Sequence, residues 1–122
     1  MPGQGGALRG KLVRDRIPEI IRSGGAQPET YTACPEEYRQ RLRAKLQEEV
    51  AEFLAAEEPK MPEELADVLE VVRALASDLG LPPERLEAIR AQKAAERGGF
   101  GGRIVWTGNA NQQMDAPTGG VP

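Results

Sequence analysis

Helix-breaking residues cut this chain at a few places, and the pieces left between the cuts suit helices and little else. Pro35, Pro62 and the pair Pro82-Pro83 stand where a helix can open, because a proline in the first helical turn forfeits no hydrogen bond. Pro59-Lys60, Gly80 and the run Gly98-Gly99-Phe100-Gly101-Gly102 stand where helices end. Helices are therefore predicted over 35–58, 62–80 and 82–97, with a shorter one over 16–23, where Pro18 tolerates a first turn and Ser23-Gly24-Gly25 stops it. Within the first long segment Leu42, Leu46, Val50, Phe53 and Leu54 fall on one stripe at about 100° per residue. In the second, Leu65, Val68, Leu69, Val72, Leu75, Ala76 and Leu79 do the same, and in the third Leu86, Ile89 and Ala94 face inward. Aromatics make up only 4% of the chain, so its apolar content is Leu, Val, Ile and Ala, which favours helices packed on helices.

The expected fold is all-α, a helical hairpin plus a third helix. Two wide stripes are more than one short extra helix can cover, so a four-helix core completed by homodimerisation is expected, or a higher homo-oligomer. Arg103-Ile104-Val105-Trp106 is expected as a short strand or extended arm. Residues 1–10 and 107–122 are polar, Gly- and Pro-bearing and without period, so they are expected as disordered ends around a domain at 11–106.

Charge and residue content exclude several classes of function. The net charge is −3 with both signs interspersed, which argues against nucleic-acid or membrane partners. No run approaches the ~18 apolar residues of a membrane span, and Met1–Gly6 lacks the apolar run of a signal peptide. A soluble, cytoplasmic protein is expected. Cys34 is the only cysteine and has no base near it in sequence, so it is read as inert. There is no histidine, which removes His-based triads and His-ligated zinc and leaves oxygen ligands, hence Mg²⁺ or Mn²⁺, for any metal.

The sharpest chemical signal is acidic. Glu48-Glu49-Val50-Ala51-Glu52 and Glu64-Leu65-Ala66-Asp67 each set carboxylates three residues apart on one helix face. At about 5 Å and an effective dielectric near 20, each like-charged pair costs roughly 3 kcal/mol. A divalent cation removes that cost, and a cation so held can grip phosphates. Taken alone, Glu48–Glu52 reads as a solvated helix face. The second pair tips the balance, because Glu64 projects between Val71 and Leu75, inside the apolar border, with Asp67 beside it, whereas Glu63 and Glu70 point outward. Glu49 lies against the edge of its own stripe.

The basic groups are ambiguous. Lys45 is either an ordinary i,i+4 partner of Glu49 or a phosphate ligand. Lys93 and Arg97 either complement a helix C-terminus or offer a two-point grip on phosphate, and Lys11, Arg14 and Arg16 form a similar group. By chemistry alone either group is more often a surface cluster. The glycine run at 98–102 follows a helix rather than a strand and is no phosphate fingerprint, and Phe100 and Trp106 read as packing residues.

Glu-Glu-x-x-Glu followed by Glu-x-x-Asp resembles the signature of the MazG-like, all-α NTP pyrophosphohydrolase superfamily, which includes phosphoribosyl-ATP pyrophosphohydrolase and dimeric dUTPases. The blocks Lys11–Ile21, Lys45–Phe53, Glu63–Glu70 and Lys93–Phe100, in that order, resemble one small house-cleaning subgroup over roughly residues 11–106. The eleven residues between Glu52 and Glu64 are slightly fewer than usual there, which implies a pocket with little built from the inter-helix loop. The resemblance implies Mg²⁺-dependent hydrolysis of a nucleoside triphosphate, non-standard nucleotides among them, at the α–β bond to a monophosphate and pyrophosphate. It implies Glu49, Glu52, Glu64 and Asp67 as metal ligands and Glu48 as an outer or second-metal ligand that orients water. Lys93 and Arg97, with Lys45, would stabilise charge on the phosphates, and Arg14 and Asp15 would contribute to the pocket. The alternatives are phosphoribosyl-ATP hydrolysis and a non-catalytic helical interaction module whose acidic flank binds a basic partner.

Overall fold

The computed structural model describes residues 9–110, so the expectations for residues 1–8 and 111–122 lie outside it. The described residues form four α-helices and no strand: α1 (Ile17–Ser23), α2 (Pro35–Ala55), α3 (Met61–Asp78) and α4 (Pro83–Arg97), with a 3₁₀ turn at Glu58–Lys60. The all-α expectation holds. The chain divides into two compact units, one ending at Pro82 and the other beginning at Pro83.

In the first unit α2 packs along α3, and the Arg39–Asp78 ion pair at 2.9 Å joins the start of one to the end of the other, so the two run antiparallel. α2 opens as the sequence predicts. Cys34 is its extended N-cap, with Sγ accepting from the Glu37 amide at 3.5 Å; Pro35 follows, and Glu36 and Glu37 lie in the first turn. The helix stops at Ala55, three residues before the expected 58. A helix continued through Pro59 would press the proline ring on the Ala55 carbonyl, and the chain instead turns extended at Ala56 (ψ 148°). Pro59 then sits in the 3₁₀ turn that leads into α3.

α3 ends in a Schellman motif. The Leu81 amide donates to the Ala76 carbonyl at 2.8 Å and the Gly80 amide to Ser77 at 2.9 Å. This reversal needs φ of +83° at Gly80, a left-handed conformation that glycine adopts without a side-chain clash.

Only part of each predicted stripe is covered. Leu42, Val71 and Ala76 are buried, and Leu46, Phe53, Val68, Val72 and Leu75 are half-buried. Val50, Leu54, Leu65, Leu69 and Leu79 are exposed, Leu54 at 73% and Leu65 at 53%. Two helices share one line of contact, which cannot cover an apolar arc of about 100° or more on each of them. The line runs past Val71, which the pattern had placed beside Glu64 at the stripe's border, and turns Leu65 and Leu69 away.

The second unit carries α4, with Leu86 and Ala94 half-buried and Ile89 exposed, contrary to the inward placement expected of it. The helix stops at Gly98, whose amide donates to the Ala94 carbonyl at 2.8 Å. Residues 103–106 form no strand, and the packing role expected of Phe100 and Trp106 is not met: Phe100 is 98% exposed and Trp106 is exposed too. After a glycine-rich turn this segment meets no second element of its unit. The Trp106 indole N–H instead donates to Asn109 Oδ1 at 3.1 Å.

Candidate active site

The helical register brings carboxylates together where α2 and α3 face each other. Glu49, in the second half of α2, is buried, and Glu64 and Asp67, in the first two turns of α3, are half-buried. One carboxylate oxygen from each of Glu49, Glu64 and Asp67 lies within 4.8 Å of the others, and Glu48, Glu49 and Glu52 form a second group of the same span. Glu49 belongs to both groups. Of the expected ligand set, the structure thus joins Glu49, Glu64 and Asp67, while exposed Glu52 groups with Glu48 and Glu49.

Two oxygens in this cluster, Glu49 Oε1 and Glu64 Oε1, are buried without a hydrogen-bond partner. Buried acceptors are ordinarily satisfied, and leaving one bare costs about 1–3 kcal/mol or more when charged. All donors here are oxygen, the preference of Mg²⁺ and Mn²⁺. The residues fit such a cation.

The nearby bases are engaged with the acids. Lys45 Nζ lies 3.5 Å from Glu48 Oε1 and 3.5 Å from Glu49 Oε2, so the plain i,i+4 pairing is real. Arg14 Nη2 donates to Asp67 Oδ1 at 2.7 Å. Arg16 precedes α1 at its N-cap position, away from these contacts.

A pocket of about 460 Å³ opens beside the cluster. One wall is the N-terminal segment Lys11–Asp15 with Ile17; α2 supplies Tyr38, Leu42, Lys45 and Glu49, and α3 supplies Asp67, Glu70, Val71 and Ala74. Apolar and ionic groups therefore line the same space. Lys45 pairs with these acids and also lines the pocket. Glu70, expected to point outward, is exposed yet lines the pocket, because the N-terminal segment folds over that side of α3. The inter-helix loop contributes nothing to this pocket; Ala56, Glu57 and Lys60 line a second one of about 400 Å³ with Glu52 and Glu64.

The sequence pattern did not mark Arg41, which organises the N-terminal wall. It is only 7% exposed. Its Nη1 donates to the Gly10 carbonyl at 3.0 Å, its Nη2 to the Arg9 carbonyl at 2.7 Å and to the Tyr31 hydroxyl at 3.1 Å, and its Nε to Glu37 Oε2 at 2.9 Å. The Tyr31 hydroxyl in turn donates to Glu37. That bond is the main reason the Glu37 carboxyl sits below its ordinary pKa; desolvation opposes it and the Arg41 contact adds to it. Burial works against the Arg41 charge, but Glu37 and Tyr31 more than offset it and raise its pKa. Arg9 and Gly10, expected to be disordered, thus carry contacts that start the wall at a fixed place. The one usable signal was an arginine four residues after a glutamate on α2.

Lys93 and Arg97 stand four residues apart at the close of α4, in the second unit, with Arg97 in the last turn.

Comparison with known proteins adds a family. The model of the family described as "Phosphoribosyl-ATP pyrophosphohydrolase" matches residues 18–94, well over half of the chain. A protein of Mycolicibacterium smegmatis described as "Uncharacterized protein" is 55% identical over 47 residues, 38% of this chain and 48% of that relative. The matched part thus spans about half the length of that relative. No solved structure matches. With the match extending through both acidic motifs, the chain belongs to the phosphoribosyl-ATP pyrophosphohydrolase family, part of the MazG-like NTP pyrophosphohydrolase superfamily.

Proposed function

We propose that this protein hydrolyses the α–β phosphoanhydride of a nucleotide triphosphate, releasing pyrophosphate and leaving a monophosphate. The observation that carries the reading is the pair of buried, partnerless oxygens, Glu49 Oε1 and Glu64 Oε1, beside Asp67 at a pocket lined by both apolar and basic groups. Glu49, Glu64 and Asp67, with Glu52 as a further donor, would hold Mg²⁺ or Mn²⁺, which when bound would supply positive charge for the phosphate oxygens and lower the pKa of a water. Glu48 would act as an outer or second-metal ligand whose carboxylate orients the attacking water. Lys45 and Arg14 bind phosphate from within the pocket. For Lys93 and Arg97, on α4, the family resemblance implies a role in stabilising charge on the phosphates. The apolar lining, Leu12, Val13, Leu42 and Val71 among it, takes the base or sugar. Exposed Leu54, Leu65 and Leu69 form the face on which a second copy completes a four-helix core.

The family match favours phosphoribosyl-ATP as substrate over the free nucleoside triphosphates to which the sequence first pointed. Free nucleotides remain the second reading on one observation. The pocket wall at residues 11–17 precedes the matched region and belongs to a block that resembles the house-cleaning subgroup.

Both readings are tested by incubating the purified protein with phosphoribosyl-ATP and with standard and modified nucleoside triphosphates, with and without Mg²⁺, and assaying pyrophosphate against orthophosphate. Mg²⁺-dependent pyrophosphate release that falls at least ~10³-fold in Glu49→Gln supports the reaction, and the better substrate decides between the readings. No release from any of them, with no measurable Mg²⁺ binding, would sink the enzyme and leave an acidic helix face for a basic partner.

A further inference from the structure

Arg14 belongs at once to the pocket wall and to the carboxylate centre. Its guanidinium meets Asp67 Oδ1 at 2.7 Å, and Asp67 is one of the three acids whose oxygens cluster within 4.8 Å. We infer that Arg14 competes with the divalent cation for Asp67, and that the cation, on binding, releases the guanidinium to an anionic group of the ligand in the same pocket. The inference rests on the pyrophosphohydrolase reading and gives Arg14 the role of a metal-gated phosphate ligand.

Three observations carry it. First, Arg14 now supplies at Asp67 the positive charge that a cation would supply, and a dication and a guanidinium crowded on one carboxylate repel each other. Second, the two bases near the centre are held differently. Lys45 and Glu49 have side chains only 19% and 10% exposed, whereas Arg14 and Asp67 are 57% and 39% exposed. An ion pair in water is weak, so the Arg14 contact is the one that yields. Third, the backbone around Arg14 is tied at both ends. Arg41 holds the carbonyls of Arg9 and Gly10, and the Arg14 carbonyl accepts from the Ile17 amide at 3.0 Å. Only the side chain has to swing, and it stays in the cavity it lines with Lys11 and Lys45. A freed guanidinium there presents a fork matched to two phosphate oxygens.

The arrangement couples the two ligands. Metal frees Arg14 for the anion, and by reciprocity the anion raises the affinity for metal.

The test compares the full chain with Arg14→Ala and Arg14→Lys by calorimetry, titrating Mn²⁺ alone and then the α,β-methylene analogue of ATP at saturating Mn²⁺. Competition predicts that Arg14→Ala binds Mn²⁺ alone about three- to fivefold more tightly, the range set by a solvent-exposed pair. The hand-off predicts that the same variant binds the analogue about tenfold more weakly, with Arg14→Lys between the two. Opposite signs in one variant are not produced by general loosening of the fold. Unchanged or weaker Mn²⁺ binding in Arg14→Ala overturns the competition, and unchanged analogue binding overturns the hand-off. Absence of Mn²⁺ binding in the wild type would instead overturn the hydrolase reading itself.

Discussion

Replacing Glu64 by glutamine is expected to stabilise the protein without metal and to make it indifferent to Mg²⁺. Glu64 is the member of its group with no base paired to it among the described residues, whereas Glu49 has Lys45 and Asp67 has Arg14. At the 4.8 Å limit of the cluster and an effective dielectric of about 20, each like-charged pair is worth about 3.5 kcal/mol, so removing the Glu64 charge lifts two such repulsions. The bases and solvent already cancel most of this, and a net gain of about 1–2 kcal/mol is expected. For a chain of this size that corresponds to a melting temperature about 4–8 °C higher in EDTA. Mg²⁺ at tenfold over its dissociation constant stabilises the wild type by about 1.4 kcal/mol, whereas the variant, short of one donor, gains little. Thermal melts of both proteins in EDTA and in Mg²⁺ should therefore show a gap that closes when metal is added. A variant that melts lower than wild type in EDTA, or responds to Mg²⁺ equally, would refute the idea that these acids are held together against their own repulsion.

Further expectations concern the frame around the site. Arg41→Met should destabilise the protein by about 2–4 kcal/mol through loss of charged hydrogen bonds, and hydrogen exchange should show faster amides at residues 9–13. Because Glu37 has a lowered pKa when folded, its stabilising contribution is complete above the ordinary carboxylate range of about 4.3 and is lost as pH falls through the lower folded value. Wild type should therefore outlast Glu37→Gln in melts at neutral pH and lose that advantage as pH falls below the ordinary carboxylate range, while Arg41 stays charged throughout. If the proposed second copy packs on the exposed apolar face, Leu69→Glu should leave the helix content by circular dichroism unchanged and lower the mass seen by light scattering to that of a monomer.

The helices were legible because their signals are local. Pro35, Gly80 and Gly98 act on their own turns, so the starts and stops fell within a few residues of the sequence reading, the largest error being the end of α2. The acid cluster was legible for a related reason. Spacing on one helix sets the face, and the border position of Glu64 and Asp67 said which face. What stayed hidden depends on contacts between distant segments. Nothing in the order of residues tells that Lys11–Asp15 shares a pocket with Glu70, or that Arg41 reaches back some thirty positions to main-chain carbonyls. Nor does an apolar stripe reveal which of its edges a neighbour in the same chain covers, and Leu65, Leu69 and Leu79 are left exposed in this one.

The clamp on Arg9 and Gly10 grips backbone oxygens, which every amino acid possesses. Side-chain identity at Arg9 is therefore cheap to change, whereas Gly10, at φ of +70°, resists any L side chain, and the count of residues from there to Arg14 is fixed as well. One residue inserted or deleted in that stretch moves the arginine by up to about 3.3 Å, more than the length of its bond to Asp67. The segment tolerates a spelling error at Arg9 but not a change in length, and a library of single-residue insertions and deletions across residues 11–13 should be far more damaging than one of substitutions at residue 9.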